Sequence, residues 1–201
     1  MPTLDSSETQ FVDRVKLPLS YDASKMFEEF EAIKAQQFEY YKVIQLRAPA
    51  HMVDTSLPFP PPATDYADGS WTPWMDTPEM AQCAYLKSVI DFFKENTTVT
   101  LVRLLRLAPH SVVKEHTDPT LGLEIEKSVI RLTIPIYNQP GVEFFLNDSL
   151  VPMLPGECWY LRLTDPHRVL NNSDYERVNL TIDMIPNDWV LNLIGTAMDA
   201  N

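Results

Sequence analysis

The sequence predicts a mainly β fold: a double-stranded β-helix, or jelly roll, braced by N-terminal helices. Three observations predict it. Residues 99–107, 128–137, 141–146, 157–163 and 176–184 alternate or run apolar over strand lengths, with Pro, Gly, Asn and Asp between them. Several short strands at close spacing suit a sandwich or barrel. The 17 prolines against 5 glycines indicate fixed turns and loops rather than long helices.

The elements follow in order. Residues 1–9 form a loose start. A first strand is expected over 10–17, stopped by Pro18. Asp22 can accept from the free N–H groups of a first helical turn and so caps a helix. Met26, Phe27, Phe30 and Ile33 give that helix an apolar face. Residues 38–46 favour a strand. The stretch 49–77 carries seven of the chain's features that resist regular structure: Pro49, Pro58, Pro60, Pro61, Pro62, Gly69 and Pro73. It also carries Trp71 and Trp74, and it reads as a packed cover or a lid over a binding site. Pro78 suits the first turn of a second helix running to about Asn96, with Ala81, Tyr85, Val89 and Phe92 on one face. No internal repeat or linker divides the chain. The expectation is one domain over 1–201, with a helical, loop-rich part over 1–98 and a cupin-like jelly-roll core over 99–186.

Composition narrows the class. The 201 residues are 45% hydrophobic, enough for a real core. A formal net charge of -12 argues against nucleic acid, whose phosphates need a basic footprint. No run approaches the ~20 apolar residues of a membrane span. The N-terminus is polar and has no signal-peptide pattern. Cys83 and Cys158 lie outside any metal-binding spacing and read as free, buried thiols of a reducing compartment. A cytoplasmic enzyme is expected.

The chemistry concentrates in three short segments. In extended chain, residues two apart point to one side, so His116 and Asp118 of His-Thr-Asp can reach one ion. His167 follows the strand 157–163. Two histidines and a carboxylate form the facial triad of non-haem Fe(II) oxygenases, which leaves metal positions open for cosubstrate and O2. An HxD triplet by itself is weak evidence, because a surface His–Asp pair gives the same pattern. The second histidine strengthens it, and so does Arg177, ten residues on. The turn over 171–174 and a return strand place Arg177 beside His167, facing the barrel. A buried guanidinium needs an anion, and its planar fork fits the distal carboxylate of 2-oxoglutarate. Arg103 or Arg106 is expected to turn inward and hold a substrate carboxylate. Trp159 is a core or pocket aromatic, and Trp71 and Trp74 are candidate lid residues. Arg168 points away from the metal, and His110 is a turn residue.

Residues 101–184 resemble the aspartyl/asparaginyl β-hydroxylases, a family that includes bacterial L-proline hydroxylases of the 2-oxoglutarate class. The resemblance rests on the HTD triplet, RLTIPI, GECWYL and PHRVLNNSDYERVNLTID. It implies His116, Asp118 and His167 as iron ligands and Arg177 on the distal carboxylate of 2-oxoglutarate. It also implies that Arg131 reaches the end of the cosubstrate that chelates iron. Thr133 stands where many members have His, so its contribution is reduced to one hydrogen bond. The implied activity is hydroxylation of a C–H bond with Fe(II), 2-oxoglutarate and O2, on an amino acid or an amino-acid-like small molecule. The rivals are a protein or peptide hydroxylase, another oxidation on the same scaffold such as desaturation, and a redox-inert cupin-like metal module. Halogenation is disfavoured because Asp118 is present.

Overall fold

The structure is a computed structural model and describes residues 12–35, 37–62 and 69–200. The loose start over 1–9 and the first residues of the expected strand over 10–17 lie outside these residues. So does the middle of the 49–77 stretch. Two antiparallel sheets pack face to face. The elements of the larger sheet are β1 (Arg14–Ser20), β2 (Tyr41–Pro49), β3 (Trp74–Asp76), β4 (Val99–Leu107), β6 (Ile130–Tyr137), β9 (Glu157–Leu161) and β11 (Arg177–Met184). Their spatial order is β1-β9-β6-β11-β4-β2-β3. The smaller sheet has β5 (Ser111–His116), β7 (Val142–Leu146), β8 (Ser149–Val151) and β10 (His167–Asn171), in the order β5-β10-β7-β8. This is the jelly roll that the sequence predicts.

The helices α1 (Ala23–Ile33), α3 (Ala84–Asn96) and α4 (Asp188–Asp199) cover the outer face of the larger sheet, and α2 (Ala50–Val53) is a single turn. Met26, Phe30, Leu86, Ile90, Phe93 and Ile194 pack there against outward residues of the sheet such as Val102, Leu132, Leu180 and Ile182. A second cluster, including Leu107, Phe144, Leu146, Leu161 and Val169, fills the space between the sheets. Asp22 caps α1 as expected, its side chain accepting from the Lys25 N–H at 3.1 Å.

Several expectations are corrected. β1 runs through Pro18, because β1 is an edge strand and a missing N–H there costs no ladder bond. β2 is shifted to Tyr41–Pro49. The second helix begins at Ala84 rather than at Pro78, because a 3-10 turn over Met80–Gln82 comes first and Cys83 breaks the regular geometry (φ -117, ψ 83). That delay leaves Ala81 outside the helix, and packing buries the stripe next to the expected one. Leu86, Val89, Ile90 and Phe93 are buried, whereas Ala81 is exposed and Phe92 is 39% exposed. The 49–77 stretch is not all loop, since it contains α2 and β3. β5, β8, β10 and α4 are additional elements. Both cysteines are free and buried.

Candidate metal centre and anion pocket

The site lies between the sheets. β11 is buried at every residue and splits into two faces. Val178, Leu180, Ile182 and Met184 join the outer core. Arg177, Asn179, Thr181 and Asp183 alternate with them and face inward, and the first three line a cavity of about 100 Å3. The same cavity is lined by His116, Asp118 and His167.

Strand pairing brings the histidines together. His116 ends β5, His167 begins β10, and the two are register partners. Their rings lie 4.2 Å apart between centroids. Asp118 sits two residues past the end of β5, where its N–H donates to the Leu163 carbonyl at 2.8 Å. One ligand atom from each of the three residues falls within 4.8 Å of the others, and His167 Nε2 is 4.0 Å from Asp118 Oδ2. Each histidine engages the backbone through Nδ1. His116 Nδ1 is 2.8 Å from the Lys114 carbonyl, and His167 Nδ1 is 2.9 Å from the Asp165 carbonyl. A carbonyl only accepts, so Nδ1 carries the proton and each Nε2 keeps a free lone pair for an ion. Burial pushes the His167 pKa down, and the neighbouring His116 adds to this, so the ring is held in its neutral, ligating form. The donor set thus fits a divalent ion of the iron type, with part of its coordination sphere left open.

Arg177 is buried, and among the described residues no carboxylate pairs with it. Its guanidinium meets the side chain of Asn179 once that amide is oriented with its oxygen toward Arg177. Burial lowers its pKa to about 10, so it stays cationic at neutral pH. The turn that delivers it is built by Asn171. Asn171 Nδ2 donates to the carbonyls of Ala108 and Tyr175, both at 2.9 Å, while Oδ1 accepts from the Ser173 N–H and hydroxyl. Tyr41 stands at the mouth of the cavity on β2, and the sequence reading did not single it out. An isolated Tyr on a strand carries no signal that separates a pocket residue from a surface one.

Arg131 lines the same cavity and is also held by two carboxylates. Its Nε and Nη2 hold both oxygens of Asp183 at 2.6 and 2.8 Å, and its Nη1 reaches Asp118 Oδ2 at 3.2 Å. It therefore braces a candidate metal ligand. Asp183 was also missed. Its signal was present in RVNLTID, where polar residues recur at period two, but that pattern normally marks a solvent-facing side. Thr133 is buried and lines the cavity beside Thr181. Arg103 faces inward. Arg106 turns to the opposite face, where it pairs with Glu176 and stacks on Phe38. Trp159 packs in the cluster between the sheets but does not line the metal cavity, so its core role prevails. Trp71 and Trp74 meet edge to face at 6.0 Å, and Trp71 also meets His51. Neither tryptophan lines the metal cavity. Arg168 pairs with Glu115 and Asp148, away from the metal side, and His110 is a turn residue with φ 52.

Comparison with known proteins agrees with this geometry. A solved oxidoreductase of the 2OG-Fe(II) oxygenase family from Burkholderia pseudomallei superposes with a TM-score of 0.55 at 14% identity, covering 88% of this chain and 86% of that one. It shows a shared fold. A cupin domain of a transcriptional regulator from Enterobacter cloacae (18% identity, 46% and 87% coverage) gives a TM-score of 0.36 and carries no argument. No curated protein gives a significant match. The aspartyl/asparaginyl β-hydroxylase profile matches residues 24–186, most of the chain. On that match, the chain belongs to the aspartyl/asparaginyl β-hydroxylase family.

Proposed function

We propose that this protein is an Fe(II)- and 2-oxoglutarate-dependent dioxygenase that hydroxylates a C–H bond of an amino-acid-like small molecule, acting as one domain. One observation carries the reading. An open His116–Asp118–His167 set and a buried arginine without a carboxylate, Arg177, share one small cavity. A plain metal store has no use for the arginine.

When bound, Fe(II) with 2-oxoglutarate and O2 would supply the oxidising power for hydroxylation, with succinate and CO2 as coproducts. The protein supplies position and a dry cavity. The two imidazole Nε2 atoms and the Asp118 carboxylate would hold the ion. Arg177 grips the distal carboxylate of 2-oxoglutarate through its fork. Thr133 and Tyr41 offer hydroxyls along the same cavity. Arg131, itself locked by Asp183, keeps Asp118 from turning. No side chain has to act as a general base.

The test is anaerobic titration with Fe(II) and 2-oxoglutarate, followed by aerobic succinate release. A weak visible charge-transfer band is expected for the wild type and absent in His116→Ala and His167→Ala, with succinate formation falling to background in both. Metal binding without a band or any succinate would overturn the reading in favour of a metal-binding module.

A further inference from the structure

Arg103 is unusual among the arginines of the barrel. It lies on β4 opposite Thr181 of β11, on the face that carries the cavity. Its Nε and Nη2 are buried and have no hydrogen-bond partner among the described residues. These two N–H groups point the same way and form one edge of the guanidinium fork, the edge that takes a carboxylate bidentately. The nearest carboxylate does not fill it. Asp183 Oδ2 is 3.6 Å from Arg103 Nη2, and both Asp183 oxygens already accept from Arg131. Leaving such donors unpaired is costly, more so beside a second cation, and burial together with Arg131 lowers the Arg103 pKa.

The local charge balance points the same way. Arg103 and Arg131 face Asp183 and Asp118. Once Asp118 serves a divalent ion, the two guanidiniums share a single free carboxylate; the chelating end of 2-oxoglutarate offsets part of the ion's own charge, and the pocket still favours one more anion. That anion is distinct from the one held by Arg177. Arg177 lies four residues from Thr181 along β11, roughly 13 Å away. The side chain of Arg103 is 19% exposed but the Nε/Nη2 edge is buried, beside Thr181 and Leu105 on the cavity-bearing face, so a carboxylate that meets it is shielded from water.

We propose that Arg103 is the receptor for the carboxylate of the substrate itself, and that the substrate is a small molecule with a free carboxylate. The inference rests on the dioxygenase reading and names the substrate class for it. Arg103 is then a binding residue that orients the substrate across the metal from the cosubstrate.

The test uses the full chain loaded with Mn(II) and 2-oxoglutarate. The twenty L-amino acids and their α-carboxamides are titrated by calorimetry. At least one free acid is expected to bind, with its amide weaker by roughly tenfold or more, the worth of a charge-assisted bond. Arg103→Met should weaken that acid about as much while leaving 2-oxoglutarate affinity within about twofold. Arg103→Lys, which keeps the charge but loses the fork, should recover part of it. A thermal melt of each variant confirms folding. The inference fails if no acid binds the loaded protein, if amides bind as well as acids, or if Arg103→Met weakens 2-oxoglutarate equally. A wild type that takes up neither Mn(II) nor 2-oxoglutarate would sink the dioxygenase reading first, and this inference with it, before any substrate is added.

Discussion

At the residue scale, the site is governed by which buried polar groups have partners. Both histidines of the candidate metal centre spend Nδ1 on a backbone carbonyl two residues earlier, and each is thereby left with one usable lone pair. Arg131 is held by Asp183 on one edge and by Asp118 on the other. Arg177 has no carboxylate among the described residues, so its charge is available to a ligand. Its removal should therefore be read in cosubstrate affinity. Arg177→Met is expected to raise the KM for 2-oxoglutarate by roughly 10- to 100-fold, the worth of a charge-assisted pair. Arg177→Lys should recover only part of this, because a point charge cannot reproduce the fork. Steady-state succinate assays against 2-oxoglutarate concentration check both. An unchanged KM would remove Arg177 from the cosubstrate site.

At the element scale, the outer helices and the sheet edge are tied by charge as well as packing. Asp76 on β3 accepts from Arg47 of β2 at 2.6 Å and from Lys94 of α3 at 3.0 Å. Partial burial works against its ionisation, but the two cations outweigh it and hold its carboxyl below the usual range. The folded pKa is thus below the unfolded one. The stabilisation is fully present above the unfolded pKa, about 3.8, and fades as pH falls through the folded value. Asp76→Asn should lower the thermal midpoint at pH 7 by about 2–4 °C, a modest effect because the network is partly solvent-screened. The difference between the two proteins should shrink as the pH is taken below about 4. A midpoint difference that persists unchanged at low pH would show that packing, not charge, is responsible.

At the scale of the whole molecule, a chain of net charge -12 concentrates three arginines inside its barrel: Arg103, Arg131 and Arg177. The acidic net charge disfavours nucleic acid, whereas the interior arginines give the cavity local positive charge. No helix among the described residues is long and apolar enough to cross a membrane. A metal bound by the candidate triad should also act as a structural clamp, because these three residues come from β5, β10 and the segment after β5. An ion that binds only the folded chain adds about 2.7 kcal/mol at a concentration 100 times its dissociation constant. A metal-free preparation is therefore expected to melt several degrees below one supplied with Mn(II) or Fe(II), and His167→Ala should abolish that gap. Equal melting temperatures with and without metal would argue against the triad as a metal site.

The sequence by itself determined the architecture and the local chemistry. Five strand segments were legible from alternation, the α1 cap from Asp22, the clustering of His116, Asp118 and His167 from HTD and the later histidine, and the inward position of Arg177 from its spacing, because each depends on short spacing and residue type. Elements too short or too polar to show a period, such as β5, β8 and β10, were not legible. The apolar face of α3 was misplaced because Tyr85, Val89 and Phe92 form an apolar stripe next to Leu86, Val89, Ile90 and Phe93, and only packing chose between them; a shift of one residue is less than a third of a turn. Only the tertiary structure decided how charges were shared. That Arg131 belongs to Asp183 and Asp118, that Arg106 turns outward to Glu176, and that Arg103 keeps an unpaired edge all depend on which strands are neighbours. The pairing of β11 with β4 and β6 joins residues 41 to 85 positions apart, and no local pattern records it.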